Sequence, residues 1–333
     1  MRQLMISLDK KILDPTSAVA KRMIEYGKKD ELFIIIPHSK RAELDLSSTV
    51  HVTTSGGRSK IGQFGVLYGV AEKIIKGKKI QEITTQDPFF TGLLGVWLKN
   101  QFNLPLEVQL HGDFFSNNYY SFKSGPMNYL RWHIGTYVVR RATLVRVVSE
   151  RIKCSLIERL HINSAQIEVR PISIDIEFIK NYLPKCNLHQ RYSEYEKFFL
   201  CLGRLDPVKN IRWLIDTFTE VVKQHPRYLL LVVGQGQEYG KLQSKISSLK
   251  LENNVKLEAW TNDPYSYLKT ADCLLFPSLS EGYGLVPMEA HYVGTPLIMN
   301  DVGVANYELK PSEKVKILPI NDKEKWTEAI LSI

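Results

Sequence analysis

Short apolar runs alternate with amphipathic segments of helical length along most of the chain. In the first half, seven apolar runs predict strands over residues 4–8, 32–36, 50–53, 80–84, 106–110, 143–148 and 166–169. The segments between them predict helices over 16–26, 62–76, 89–101, 127–140 and 150–160. This alternation predicts a parallel sheet with helices on both faces, in which ligands bind beyond the carboxyl ends of the strands.

The pattern loosens over residues 176–196, which are polar and charged, and then resumes. Later strands are predicted over 198–202, 228–233, 255–257, 273–276 and 297–299, with helices over 210–224, 237–250, 264–270 and 286–293. A chain of 333 residues exceeds one ordinary core. The sequence therefore predicts two α/β domains, over 1–175 and 197–333, joined by a linker over 176–196.

The composition, 44% hydrophobic and 24% charged, is that of a soluble globular protein. No run approaches the roughly 18 apolar residues that cross a bilayer, and the apolar core of the first nine residues is too short for a signal peptide. The four cysteines are scattered, which favours a reducing cytosol without disulfides or a zinc site. Cys201 and Cys273 lie in apolar runs, so we expect them to be inert core residues.

Charge is distributed unevenly between the two halves. Residues 1–175 contain 25 Lys and Arg against 16 Asp and Glu, whereas residues 176–333 contain 19 of each. The excess favours an anionic partner for the first half: a membrane surface, a phosphate-bearing acceptor or nucleic acid. Lysines that serve solubility alone are the alternative. No nucleic-acid motif is visible, so we expect no nucleic-acid partner. The basic first half favours a cytoplasmic protein that is peripheral on the inner face of the membrane.

An aromatic and basic segment extends from residue 114 to residue 141. It contains Phe114, Phe115, Tyr119, Tyr120, Phe122, Lys123, Tyr129, Arg131, Trp132, Arg140 and Arg141. Aromatic rings with interleaved cations suit an interfacial membrane contact. A helix that packs on the sheet with two exposed arginines is the alternative.

Two cations follow the strand over 198–202. Gly203 ends the strand, and Arg204 and Lys209 lie five residues apart. A helix is predicted to begin either at Asp206-Pro207, which suits its N-cap and first position, or at Asn210. A guanidinium fork and an ammonium point charge together suit the two phosphates of a diphosphate.

Two further glycine-containing loops follow strands. Gly234 and Gly236 form a G-x-G, but the third glycine comes one place late for a dinucleotide site and no clear acidic residue closes a strand about 20 positions on. The motif therefore predicts proximity to a nucleotide but not an NAD site. Residues 280–290 (SEGYGLVPMEA) connect a strand to a helix whose free N–H groups would attract phosphate. There, Glu281 is predicted in the loop and Glu289 in the first helical turn. Carboxylates at these places could accept hydrogen bonds from sugar hydroxyls, although a plain strand–loop–helix connection is the alternative.

The first half also places polar loops beyond strand ends. These are Gln86-Asp87, Ser55-Gly56-Gly57-Arg58 and His111-Gly112-Asp113. His111 is placed to contact a ligand, although a loop histidine is more often simply solvated.

The motif series resembles glycosyltransferase family 4, a retaining, nucleotide-sugar-dependent family with the GT-B fold, in which two Rossmann-like domains face each other across a cleft. The resemblance lies in residues 203–210 (GRLDPVKN), 233–236 (VGQG), 281–290 (EGYGLVPMEA) and 294–298 (GTPLI), with 110–112 (LHG) and 147–150 (VVSE) in the first half. It implies an N-terminal acceptor-binding domain and a C-terminal donor-binding domain.

The resemblance also implies residue roles. Arg204 and Lys209 would bind the donor diphosphate and neutralise it as it leaves, Glu281 would lie against the transferred sugar, and His111 would reach that sugar. Glu289 would hold the ribose hydroxyls. Further donor-binding positions are Gly203, Gly234, Gly236, Gly282, Tyr283, Gly284 and Leu285. No Asp-x-Asp motif is present, so we expect cations and helix dipoles to act without a metal or other cofactor.

Three places depart from the family pattern. The loop over 9–17 lacks the glycine pair, residues 171–175 replace an asparagine-glycine pair, and the chain ends before the terminal helices that return to the first domain. Taken together, the motif series predicts a hexosyltransferase that acts on a lipid-linked or oligosaccharide acceptor in cell-envelope polysaccharide or glycoconjugate synthesis. The alternatives are a sugar-nucleotide epimerase or phosphorylase of the same fold and a non-catalytic sugar-nucleotide-binding subunit.

Overall fold

A computed structural model describes residues 1–57, 59–115 and 125–333. It divides into two compact units, Met1–Val148 with Ile152–Arg170 and Ser149–Arg151 with Pro171–Ile333. Each unit is built on a sheet of mostly parallel strands, as the alternation of apolar runs and amphipathic segments predicts.

The strands of the first unit form one sheet in the order β3-β4-β2-β1-β5-β6-β7-β8. Their bounds are β1 Arg2–Ile6, β2 Glu31–Ile36, β3 Glu43–Ser47, β4 Val50–Thr54, β5 Glu82–Thr85, β6 Leu106–Leu110, β7 Leu144–Val147 and β8 Ile167–Val169. The helices are α1 Ala18–Gly27, α2 Lys60–Lys78, α3 Phe90–Phe102, α4 Pro126–Arg141 and α5 Glu150–Leu160, with 3-10 turns at Lys10–Leu13 and Ser164–Gln166.

One strand of this sheet is absent from the sequence prediction. Strand β3 pairs antiparallel with β4 at the sheet edge, whereas the other pairings are parallel. Its residues are exposed or only half-buried, so its sequence ELDLS carries a weak apolar signal. Edge strands are short and charged because these features prevent unwanted pairing, and the same features hide them from a periodicity analysis.

The second unit forms a parallel sheet in the order β11-β10-β9-β12-β13-β14. Its strands are β9 Lys197–Leu202, β10 Tyr228–Val233, β11 Val255–Glu258, β12 Cys273–Phe276, β13 Leu297–Asn300 and β14 Val315–Leu318. Its helices are α6 Ile176–Asn181, α7 Leu188–Arg191, α8 Ile211–Gln224, α9 Tyr239–Ser248, α10 Pro264–Thr270, α11 Leu285–Val293 and α12 Lys323–Leu331, with a 3-10 turn at Pro207–Lys209.

Residues 176–196 differ from the predicted linker. They contain α6 and α7, and they pack on the second unit. The Tyr182 hydroxyl donates to Asp263 Oδ1 at 2.7 Å, Arg191 pairs with Glu258 at 3.2 Å, and Leu188 is fully buried. Helices of six and four residues are too short to show a helical period, so the sequence pattern alone predicts a linker there.

The cores of both units consist of strand residues and the inner faces of helices. In the second unit the fully buried Trp326 of α12, a helix that the sequence analysis did not predict, packs edge-on against Trp213 with ring centres 5.5 Å apart. Cys201 and Cys273 are buried, and burial raises the pKa of each thiol to about 12, so both are inert as predicted. Within the described residues, none of the helices combines the length and apolar character needed to cross a bilayer.

Candidate functional site

Three strand-end loops of the second unit meet beside the point where its strand order reverses. From β9 the chain runs outward to β10 and β11 and then returns to β12, so β9 and β12 border the switch point where such sheets bind ligands. The loops are joined by backbone hydrogen bonds. Leu205 N–H donates to Gln235 O at 2.9 Å, and Leu279 N–H donates to Val208 O at 2.8 Å. The loops after β9, β10 and β12 therefore form one surface.

Lys209 and Glu281 form an ion pair on this surface. Their side chains are only 18% and 16% exposed, and Lys209 Nζ donates to Glu281 Oε1. The same nitrogen lies 5.2 Å from the centre of the Phe276 ring. A Cβ placed on Gly203 would lie 4.0 Å from Lys209 Cε, so the lysine passes the open side of that glycine. The fold thus holds one cation, one carboxylate and an accessible backbone together.

Arg204 occupies a more open position than Lys209. Its side chain is 71% exposed and pairs with Asp206 Oδ2 at 2.9 Å. Asp206 precedes the 3-10 turn but makes no side-chain capping hydrogen bond, and α8 begins only at Ile211 because Asn210 adopts the left-handed conformation with φ 57°. Asp206 and Pro207 thus occupy the N-cap and first positions of the short turn, where Asp206 pairs with Arg204 instead of capping, and Asn210 stands at the N-cap position of α8. Arg204 and Lys209 line the same shallow recess.

Gly234 and Gly236 allow two loops to approach each other. A Cβ on Gly234 would lie 1.8 Å from Gly203 O, and one on Gly236 would lie 2.5 Å from Leu205 O. Glycine is thus required at both positions, because any side chain would clash with the backbone of the loop after β9. Their contribution to donor binding stays a prediction.

The loop after β12 leads into α11 through a left-handed glycine. Gly284 has φ 105°, and no side chain caps the helix that begins at Leu285. The first N–H groups of a helix lack intrahelical partners and attract anions. Since the helix begins at Leu285, Glu289 is its fifth residue and lies in the second turn, one turn later than predicted.

Glu289 is held by a tyrosine that the sequence analysis did not identify. The Tyr265 hydroxyl donates to Glu289 Oε1 at 3.0 Å. Burial raises the pKa of Glu289, and the hydrogen bond opposes this rise in part. Tyr265 also contacts the rings of Phe178 and Tyr182, with centres 5.8 and 5.4 Å away. An aromatic cluster therefore adjoins the carboxylate predicted to bind ribose.

Two hydrogen bonds from other segments of the chain are accepted by the backbone carbonyls of residues 282 and 283. Ser149 Oγ donates to Gly282 O at 2.8 Å, and Val304 N–H donates to Tyr283 O at 2.8 Å. Gly303 makes the second contact feasible, because it has φ 57° and a Cβ there would lie 2.1 Å from Tyr283 O. The sequence shows the glycine but gives no signal of which loop it faces.

Asn300, at the end of β13, fixes the start of the same loop. It is fully buried, and its Nδ2 donates to Pro277 O at 2.7 Å and to Ser278 O at 3.1 Å. Its Oδ1 accepts from Trp326 Nε1 at 3.2 Å. The buried Asn300 amide, with all three hydrogen bonds made, orients the chain that leads to Glu281. The sequence pattern did not indicate this role of Asn300.

His111 lies in the first unit, directly after β6. Partial desolvation and the nearby guanidiniums of Arg146 and Arg22 lower the pKa of His111, which favours the neutral imidazole at pH 7. At the neighbouring strand ends, Ser7 Oγ donates to Gln86 Oε1 at 2.5 Å. The contact of His111 with a sugar stays a prediction. Arg58, from the loop over 55–58, lies outside the described residues.

Among the described residues, no three His, Cys, Asp or Glu side chains are grouped as metal ligands.

Models of two protein families together match most of the chain. The model described as Glycosyltransferase Family 4 matches residues 16–178, and the model described as Glycosyl transferases group 1 matches residues 189–333. The chain belongs to glycosyltransferase family 4. The family predicted from the motif series is therefore confirmed.

Three relatives, one of them an uncharacterized glycosyltransferase, are similar to parts of this chain. It is 24% identical over 268 residues to an Escherichia coli UDP-Gal:alpha-D-GlcNAc-diphosphoundecaprenol alpha-1,3-galactosyltransferase, covering 78% of this chain and 68% of that protein. It is 28% identical over 243 residues to the Streptococcus pneumoniae alpha-monoglucosyldiacylglycerol synthase, covering 69% and 54%. A Methanocaldococcus jannaschii glycosyltransferase is 34% identical over 125 residues, which is 30% of its length. The matched region thus spans from about a third to about two thirds of these relatives.

Solved structures share the fold across the whole chain. Anabaena HepE in complex with UDP has a TM-score of 0.76 at 18% identity and covers 100% of this chain and 89% of that one. Sucrose-phosphate synthase from Thermosynechococcus elongatus has a TM-score of 0.78 at the same identity and coverage. The fold is GT-B, as the sequence predicts.

Proposed function

We propose that this chain is a retaining glycosyltransferase that moves a hexosyl unit from a nucleoside diphosphate sugar to a lipid-linked or oligosaccharide acceptor. The observation that carries the proposal is the Lys209–Glu281 pair at the switch point of the second sheet. Family membership and the names of the relatives support the reaction class.

The pair suits the departure of a diphosphate. When the bond between the sugar C1 and the diphosphate oxygen breaks, negative charge develops on the leaving group. Lys209, Arg204 and the N–H groups at the start of α11 would stabilise it. Lys209 is held in place by Glu281, so little reorganisation is needed when the charge appears. We propose that these groups act without a metal ion, and retention of activity in excess EDTA would support this part.

Glu281 and Glu289 have separate roles in the proposal. Glu289, which accepts from Tyr265, binds the ribose hydroxyls, and Glu281 lies against the transferred sugar. The acceptor oxygen forms its bond to C1 on the face that the diphosphate leaves, and its proton passes to the leaving phosphate oxygen. This front-face transfer retains the anomeric configuration.

The names of the relatives and the distribution of charge support a proposal about the acceptor and the location. One relative is named for a diphosphoundecaprenol-linked acceptor and another for a glycolipid product. The first half of the chain carries nine more cations than carboxylates. We therefore propose an acceptor that is displayed at the cytoplasmic face of a membrane, in synthesis of cell-envelope polysaccharide or glycoconjugate.

The test begins with a thermal-shift screen against UDP, GDP and ADP and their sugars. A nucleotide present at 100 times its dissociation constant adds about 2.7 kcal/mol of stability. The stabilising sugar nucleotide, labelled in the hexose, is then incubated with polyprenyl-diphosphate-linked sugars, diacylglycerol and oligosaccharides. We expect transfer with retained anomeric configuration, read by NMR of the product.

Other products would identify the other functions of this fold. Conversion of the sugar nucleotide without any acceptor would indicate an epimerase, and a requirement for free phosphate would indicate a phosphorylase. Nucleotide binding without hydrolysis or transfer would indicate a non-catalytic subunit. An inverted product would disprove the retaining mechanism.

A further inference from the structure

Three neighbouring helices of the first unit, α2, α3 and α4, form a layer. Gly92 of α3 lies so close to α4 that a Cβ would lie 2.6 Å from Val138 Cγ1. Lys99 Nζ at the end of α3 donates to Arg141 O at the end of α4 at 2.6 Å. On the other side, the rings of Phe64 and Phe90 join α2 to α3 with centres 5.5 Å apart. The outer side of these helices is one continuous surface, the α2–α4 face.

Helix α4 exposes an apolar stripe on this face. Gly135, Thr136, Val138 and Val139 are buried on its inner side, whereas Arg140 and Arg141 are exposed, as one of the two sequence interpretations predicts for these arginines. However, Met127 is 59% and Leu130 is 52% exposed, and the half-buried Ile134 and exposed Tyr137 continue their spacing. Positions 127, 130, 134 and 137 lie on one side of a helix. The helix is therefore apolar on two sides, and only one of them is buried.

The neighbouring helices extend this apolar surface. Trp97 of α3 is 54% exposed, and Phe90 and Val66 are also exposed. Single exposed apolar residues are ordinary, but a group of large ones on adjacent helices marks an interaction surface. Tyr119, Tyr120, Phe122 and Lys123, which the sequence analysis includes in the same segment, lie outside the described residues and play no part here.

The same helices are almost free of carboxylates. By sequence, α2, α3 and α4 contain eight Lys and Arg and a single acidic residue, Glu72, which pairs with Lys76. The Arg141 guanidinium lies 3.8 Å from the centre of the Tyr137 ring, at one end of the apolar stripe. Arg131 is exposed beside Leu130. Apolar side chains are thus bordered by cations with little acidic charge to offset them.

We propose that the α2–α4 face docks on an anionic lipid bilayer, with the stripe Met127–Leu130–Ile134–Tyr137 and Trp97 in the interfacial region. Apolar side chains enter the boundary of the acyl chains, aromatic rings suit the headgroup level, and the cations contact anionic lipid. The inference deepens the proposed function, on which it rests for the membrane-displayed acceptor. It locates the contact on one face of one unit.

Charge favours a bilayer over a second copy of the chain. A symmetric dimer through this face would place the cations of one copy against the same cations of the other, and like charges across an interface oppose association. An anionic surface has the complementary sign. Duplex nucleic acid would match the charge but offers no partner for an exposed stripe of Met, Leu and Ile.

The experiment is co-sedimentation of the full chain with vesicles of phosphatidylcholine alone or with about 30% phosphatidylglycerol, in about 0.1 M and 0.5 M NaCl. We expect binding only to the anionic vesicles, weakened by salt. The double substitution Met127→Ser with Leu130→Ser should lower binding about tenfold or more. Arg131→Gln with Arg141→Gln should also weaken it and should reduce the salt dependence. The intrinsic fluorescence should shift to shorter wavelength on binding, and Trp97→Phe should diminish that shift.

Leu183→Ser is the matched control, since Leu183 is 83% exposed in the second unit and should not affect vesicle binding. Circular dichroism and the nucleotide thermal shift confirm that each variant is folded. Equal vesicle binding by all variants would overturn the proposal. So would a dimer that the serine substitutions dissociate, or binding to duplex DNA in place of vesicles. The vesicle assay needs no turnover, so its failure is distinguishable from failure of the proposed transferase activity.

Discussion

The strand-end loops of the second unit and the α2–α4 face of the first use charge in opposite ways. In the loops, Lys209 and Glu281 are mostly buried and paired with each other, and Glu289 is held by Tyr265. On the α2–α4 face, the cations stand beside exposed apolar side chains, with little acidic charge. A buried charge requires a partner at hydrogen-bond distance, because desolvation is costly. An exposed surface attracts an anionic partner when its charge has the right sign and density, without fixed partners for each side chain.

This difference predicts different sensitivities to substitution. Changes in the loops should affect turnover and stability strongly, because each side chain has fixed partners. Changes on the α2–α4 face should affect only association with a membrane.

The largest effect is expected for Lys209→Met. We expect kcat to fall about 10²- to 10³-fold, since one fixed donor to the developing charge is lost and Glu281 is left unpaired. Arg204→Met should cost about tenfold, because that side chain is mostly exposed and already pairs with Asp206. Steady-state kinetics with the stabilising sugar nucleotide measures both. Lys223→Met, a surface position on α8, is the control. Equal losses for Lys209→Met and Lys223→Met would contradict the role proposed for Lys209.

Gly234→Ala should destabilise the second unit by about 3 kcal/mol. The added Cβ would lie 1.8 Å from Gly203 O, so the loop that carries Arg204 and Lys209 must move. Chemical denaturation measures the change in the free energy of unfolding. Gly240→Ala in α9 is the matched control, because nothing lies within 4 Å of its added Cβ; it should be neutral or stabilise by up to about 1 kcal/mol. Similar unfolding midpoints for the two variants would refute the close packing of the loops.

Glu289→Gln should weaken donor binding about ten- to a hundredfold, because a carboxylate accepts hydroxyl hydrogen bonds more strongly than an amide. In the parent protein, affinity should fall as the pH drops towards the raised pKa of Glu289, above its ordinary value of 4.5, whereas the variant should show no such fall. Calorimetric titration of the donor across this pH range tests both statements.

The same substitution should raise stability at neutral pH. With its pKa raised by burial, folded Glu289 binds more protons than the unfolded chain, so the free energy of unfolding falls as the pH rises from 4.5 through the raised pKa. Gln avoids this loss and keeps an oxygen for Tyr265. A lower melting temperature for the variant at pH 7 would show that Glu289 is not buried as described.

The smallest effect on stability is expected for Leu130→Ser. The side chain is half exposed, so the free energy of unfolding should change by no more than about 0.5 kcal/mol. Thermal unfolding measures it, with Leu156→Ser as the contrasting buried position on α5. A large destabilisation by Leu130→Ser would mean that the stripe is covered within the chain.

Much of the fold was predictable because buried parallel strands are continuous apolar runs. Strands β10 and β12 have the predicted bounds, since a charged residue precedes each run and Gly234 or Pro277 ends it. Helix α10 also has the predicted bounds, with Asp263 and Pro264 at its start. The edge strand β3, the short helices α6 and α7 and the terminal β14 and α12 were not predicted. The residues of β3, α6 and α7 are too few or too exposed for a period to emerge. Helix α12 does carry buried positions at helical spacing, Trp326, Ala329 and Ile330, so its omission has a different cause.

The sequence by itself determined which loops follow which strands, and therefore which residues lie at the carboxyl edge of each sheet. It also determined the family, because the spacing within each motif is local. Other features depend on the tertiary structure. Lys209 pairs with Glu281, 72 positions away, and Tyr265 donates to Glu289. Asn300 and Ser149 orient the loop after β12, which carries Glu281. The tertiary structure also decided which side of α4 is covered. These contacts depend on strand order and helix packing, which no local pattern encodes.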